Sequence, residues 1–175
     1  AISVAENASA VTTVTATDVD AATTLTYSIS GGADAAKFAI NSSTGVLTFV
    51  SAPDFEVPTD IGGNNVYDVT VQVSDGAFTD TQGIAVTVTN VNESPVITSD
   101  GGGTTANVSA AENQTAATTV ASTDVDGGAP SYSIVGGADA ALFTINASTG
   151  ALTFLAAPDF EAPADAGGDN VYDVT

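Results

Sequence analysis

Twenty-one carboxylates and a single base, Lys37, carry the charge of this 175-residue chain, and the acids are not scattered. Asp18 and Asp20 stand two apart, as do Asp54 and Glu56 behind Pro53. On extended backbone, side chains two apart project to the same side, about 6–7 Å from each other. Carboxylates held this way repel unless one is protonated or a cation lies between them. Glu6 sits in Ala5-Glu6-Asn7, and Asp75 ends a Val-rich run. The stretch Asn90-Val91-Asn92-Glu93-Ser94-Pro95 adds amide, carboxylate and backbone carbonyl oxygens. Oxygen donors of these kinds are the ligands of hard cations. Any one of them alone reads as a solvated surface acid. The full set, repeated further along the chain, points to cation binding.

The rest of the composition narrows the alternatives. The formal charge is −20, and Cys, His, Arg, Met and Trp are all missing from the sequence. That excludes a disulfide framework, an ordinary zinc site, a Ser-His-Asp relay and a thiol nucleophile. One Lys offers no electrostatic footprint for nucleic acid or for insertion at an anionic membrane surface. Asp54 and Glu56 make a poor glycosidase pair, because neighbours two apart on one strand rarely flank a substrate. An enzyme is therefore not expected. Hydrophobic residues still make up 43% of the chain, so it is expected to fold rather than behave as an acidic tail.

The elements that place the carboxylates come in two copies. Residues 5–20 match residues 111–126 at 11 of 16 positions, and residues 27–70 match 132–175 at 33 of 44. The offset is 106 before Asp126 and 105 from Tyr132 onward. The expected division is a first repeat over 1–94 and an incomplete second repeat over 95–175, without counterparts of Val71 to Pro95. The expectation is an excerpt from a longer array. The rival is a fibre subunit whose missing strands come from a neighbour by strand complementation.

Within a repeat, period-two alternation dominates. Tyr67, Val69, Val71 and Val73 alternate with Asp68, Thr70, Gln72 and Ser74, and Ile84, Val86 and Val88 with Ala85, Thr87 and Thr89. Leu25, Tyr27 and Ile29 form a third such run. Phe38 and Ile40 lead into the turn Asn41-Ser42-Ser43-Thr44-Gly45, with Leu47 and Phe49 beyond it, which predicts a hairpin. Strands are also predicted at Ile2–Ala5 and Val11–Thr17, and one helical turn between Gly32 and Lys37. Six or seven short strands in about 95 residues predict tandem all-β Greek-key sandwiches of immunoglobulin-like type. Tyr27, Phe38, Phe49, Phe55 and Tyr67, with Tyr132, Phe143, Phe154, Phe160 and Tyr172, are expected in the cores.

Together these marks resemble bacterial cadherin-like repeats. They are Ala5-Glu6-Asn7, Asp18-Val19-Asp20, the Asn41–Gly45 turn, Asp54-Phe55-Glu56, Val73-Ser74-Asp75 and the linker through Pro95. In the second copy they recur at Glu112, Asp124 and Asp126, Thr149-Gly150, and Asp159 and Glu161. The resemblance implies a seven-strand sandwich with Ca²⁺ between successive domains. It implies Glu6, Asp54 and Glu56 as metal ligands from the first copy, Asn90, Asn92 and Glu93 from the linker, and Asp124 and Asp126 from the second copy. Asp18, Asp20 and Asp75 would serve a preceding repeat, and Glu112, Asp159 and Glu161 a following one. Asn90 departs from the family's usual Asp. The six acids assigned to one junction carry −6, so two or three Ca²⁺ per junction are expected, and Ca²⁺ tolerates irregular oxygen sites better than Mg²⁺.

The resulting expectation is a calcium-rigidified extension module of a large extracellular protein on a bacterial cell surface: an adhesin, surface-layer or matrix component. Its partners would be neighbouring repeats, with other copies of itself or surface glycans as the alternative binding reading.

Overall fold

The computed structural model describes residues 2–20 and 23–175. The chain divides into two compact units, Ala1–Asn92 and Glu93–Thr175. In the first, seven strands among the described residues form two sheets: β1 (Ile2–Ala5), β2 (Ala10–Thr13), β3 (Thr26–Gly31), β4 (Phe38–Ile40), β5 (Val46–Phe49), β6 (Val66–Ser74) and β7 (Thr79–Thr89). One sheet has the order β1-β7-β6-β3 and the other β2-β5-β4. β1 runs parallel to β7, pairing Ile2 with Val86, whereas β6 and β7 are antiparallel, pairing Tyr67 with Val86.

The alternation read from the sequence decides what is buried. Tyr67, Val69, Val71, Val86 and Val88 are all at most 2% exposed and pack with Val4, Phe38, Leu47 and Phe49 into one core. Phe49 stacks on Phe38 and meets Tyr67 edge-on. The Asn41–Gly45 turn is held by Asn41 Oδ1, which accepts from the Ser43 and Thr44 amides at 3.0 Å. Gly45 has φ +69°, and a Cβ there would collide with the Val14 carbonyl, so the turn needs glycine. The expected helical turn is a 3-10 segment, Ala35–Lys37. β2 is shorter than expected and stops at Thr13; just beyond it the Val14 amide donates to Gly45 O at 2.8 Å.

The second unit rebuilds part of this plan. β9 (Ala116–Thr119), β11 (Phe143–Ile145) and β12 (Ala151–Phe154) form a sheet of order β11-β12-β9, the counterpart of β4-β5-β2. β8 (Val96–Ile97) pairs with β10 (Ser122–Thr123). Phe143 and Phe154 are buried, and Tyr172 meets both rings edge-on. The residues matching β6 include 171–175, which form no ladder, although Thr175 exchanges backbone bonds with Gly136. Phe160, expected in the core, is 63% exposed, and Phe55 is only half-buried.

Candidate metal centre

Each unit has its own acidic end. In the first unit Glu6 follows directly on β1 and is buried at 4% exposure. Asn7 behind it takes a left-handed φ of +60°, which Asn tolerates, and its amide donates to Pro53 O at 2.9 Å. Both Glu6 oxygens accept main-chain N–H groups. Oε2 takes Phe55 at 2.9 Å and Oε1 takes Val91 at 2.8 Å. One side chain thus ties the start of the repeat to the Pro53 loop and to the segment leaving β7. Glu56, half-buried, offers a carboxylate oxygen within 4.8 Å of one on Glu6. The Asn90 side-chain amide donates to Glu56 Oε1 at 2.7 Å. Asp54 is exposed and its Oδ1 accepts from the Val57 amide at 3.0 Å. Asn92 is exposed in the same segment as Asn90.

The opposite end of this unit holds Asp18, Asp20 and Asp75. Asp18 and Asp20 do not lie on a strand: Asp18 Oδ1 accepts from the Asp20 amide at 2.8 Å, forming a local turn. An Asp side chain competes with the sheet for backbone donors, and here it wins. Asp75 caps the turn between β6 and β7, taking the Phe78 and Ala77 amides at 2.5 and 2.7 Å. Those two bonds hold its carboxyl below the usual range.

In the second unit, Glu112, Asp159 and Glu161 are exposed and each offers an oxygen within 4.8 Å of the others. Two oxygens on opposite sides of one Ca²⁺, each about 2.3–2.6 Å from it, lie about 5 Å apart. The donor set therefore fits such an ion in both chemistry and spacing. Glu112 Oε2 accepts from the Phe160 amide at 3.0 Å, as Glu6 does from Phe55. The other end carries Asp124 and Asp126, both half-buried. Asp124 Oδ1 accepts from the Asp126 amide at 3.1 Å, and Asp126 Oδ2 from the Glu93 amide at 2.6 Å.

The structure also singles out acids that sequence reasoning passed over. Asp34, 4% exposed, accepts from Ile61 and Asp68 at 2.7 and 2.9 Å, and Asp139 does the same from Ala166 and Asp173. Asp60, 7% exposed, accepts from Asn64 and Asn65, both at 3.0 Å. Burial pushes the Asp60 carboxyl up, but the Asn64, Asn65 and Gly63 amides outweigh this and leave it below its ordinary value. Asp165 shows the same balance with Asp169 and Asn170. Their recurrence in both copies was the available signal.

A family model for the cadherin domain matches residues 1–92. The chain belongs to the cadherin domain family. Human Protocadherin Fat 4 is 37% identical over 164 residues, a stretch that takes in 87% of this chain and 3% of that protein. Halomucin of Haloquadratum walsbyi is 38% identical over 139 residues, 73% of this chain and 1% of its own length. The chain thus spans a few per cent of the curated relatives it matches. The crystal structure of human Protocadherin-24 EC1-2 Form II superposes with a TM-score of 0.57 at 20% identity, covering 90% of this chain and 74% of that one. Cadherin domains are extracellular adhesive and structural modules rather than enzymes. They generally bind Ca²⁺ and engage neighbouring repeats or other copies. Among the described residues, no helix of this cadherin chain is long and apolar enough to cross a membrane.

Proposed function

We propose that the chain is a calcium-rigidified extension module of a large extracellular repeat protein, most simply an adhesin, surface-layer or matrix component of a bacterial cell surface. The observation that carries this reading is the acidic end built in each copy: Glu112, Asp159 and Glu161 with oxygens within 4.8 Å, and Glu6 with Glu56 at the matching place. Carboxylates brought so close with no base among them repel, and a divalent cation relieves that repulsion. In this proposal Glu6, Asp54, Glu56, Asn90, Asn92, Glu93, Asp124 and Asp126 serve one junction with two or three Ca²⁺. Asp18, Asp20 and Asp75, and Glu112, Asp159 and Glu161, serve the flanking junctions. Ions that draw ligands from two repeats and their linker resist bending, because bending breaks coordination.

Small-angle scattering of the 175-residue chain with calcium and with chelator tests the proposal. A narrower distribution of dimensions with calcium is expected, and Asp124→Ala with Asp126→Ala should abolish the difference. Identical scattering in the two conditions would refute it.

A further inference from the structure

We infer that Asn65, and Asn170 in the second copy, are positioning residues that set the spacing of the carboxylate ligands. The inference rests on the calcium reading above and deepens it. The backbone of Phe55 is held on both sides of its Cα: its N–H by Glu6 Oε2 at 2.9 Å and its carbonyl by Asn65 Nδ2 at 2.8 Å. Glu56 is the next residue, so these two bonds, one on each peptide flanking Phe55, together fix where the Glu56 side chain starts relative to Glu6. Asn65 is itself pinned. Its amide donates to buried Asp60 at 3.0 Å, it takes a left-handed φ of +61°, and its carbonyl accepts from Val88 on β7 at 2.8 Å. One residue therefore governs both donors to Glu6, the Phe55 amide through its side chain and the Val91 amide through β7.

The second copy repeats the side-chain arm. Asn170, φ +64°, donates its side-chain amide to Phe160 O at 3.1 Å and its backbone amide to Asp165 Oδ1 at 3.1 Å, and the Phe160 amide donates to Glu112. Glu112, Asp159 and Glu161 converge within 4.8 Å. The side-chain arm is the same in both copies, so the side-chain amide of Asn65 or Asn170 is the element that orients the ligand loop. Groups that hold ligands in place, without touching the metal, typically change affinity by about 10- to 100-fold.

The test is Asn65→Gly, which keeps the left-handed backbone and removes only the amide. Calcium is titrated into the full chain and followed at the Phe55 and Val91 amide resonances. The expected result is a midpoint shifted to higher calcium by about tenfold or more, with the midpoint read at Phe160 unchanged. The melting temperature in chelator also falls if Asn65 merely packs the loop, so the calcium midpoint decides, and an unchanged midpoint overturns the inference. If Asn65→Gly leaves the first unit unfolded, Asn170→Gly read at Phe160 decides by the same criterion. Wild-type amides unmoved by millimolar calcium would overturn the calcium reading itself, a failure visible without any variant.

Discussion

The Asn90 side chain donates to Glu56 Oε1 at 2.7 Å, so a neutral amide lies against the carboxylate that stands beside the buried Glu6. An amide contributes a donor to Glu56 in the absence of metal and only a carbonyl oxygen when metal binds. Asn90→Asp exchanges these properties. In chelator the new carboxylate repels Glu56 and the melting temperature falls. In calcium the added charge strengthens binding by on the order of tenfold, since ligand charge tunes such sites. Isothermal titration and melting in the two conditions should move in opposite directions, and parallel movement would argue that Asn90 does not face the ion.

The two copies offer an internal comparison of core completeness. Leu47 is fully buried within a nine-residue core, whereas Leu152, its counterpart, is only half-buried in a unit whose buried apolar residues are Phe143 and Phe154. Leu47→Ala should cost about 3–4 kcal/mol and Leu152→Ala about half of that, because the loss scales with the cavity left behind. Calorimetry of the intact chain should show the Leu47 variant shifting the main transition.

Much of this architecture was legible in period-two alternation. Val69, Val71, Val86 and Val88 follow it and are buried, and Phe38, Ile40, Leu47 and Phe49 form the expected hairpin. The alternation fails at Phe160, which is 63% exposed, and at its counterpart Phe55, which is only half-buried. The geometry of the acids was harder to foresee. Extended backbone was assumed at Asp18-Val19-Asp20 and Asp54-Phe55-Glu56, but in both places the first Asp bonds to a following amide and bends the chain. The buried acids Asp34 and Asp60 were passed over because they accept main-chain N–H groups contributed by a loop remote in sequence or bent back on itself, and such pairings leave no periodic trace.

The cluster of Glu112, Asp159 and Glu161 should be costly without metal and stabilising with it. Replacing all three by their amides, Glu112→Gln, Asp159→Asn and Glu161→Gln, removes three neighbouring negative charges. In chelator the second unit should melt no lower than wild type. At calcium about a hundredfold above the dissociation constant, wild type gains about 2.7 kcal/mol per occupied site, and the triple variant should gain nothing at this end. A calcium increment that survives in the triple variant, read at the Phe160 amide, would place the ion elsewhere.

Acid should loosen the Asp60 loop in a defined direction. The carboxyls of Asp60 and Asp165 lie below the ordinary value of 3.8 when folded, with burial opposing and loop amides prevailing. A folded value below the unfolded one means that the unfolded chain binds the proton more readily. The stabilisation is therefore complete above pH 3.8 and is lost as pH falls through that value toward the folded one. Asp60→Asn replaces one acceptor oxygen with a donor facing the Asn64 or Asn65 amide and should cost about 2 kcal/mol at neutral pH. Because that cost is already present, the variant should lose less stability than wild type between pH 5 and pH 2, within about that range of acid titration. Melting curves of the two proteins that ran parallel across the interval would show that the Asp60 carboxylate does not hold the loop through its charge.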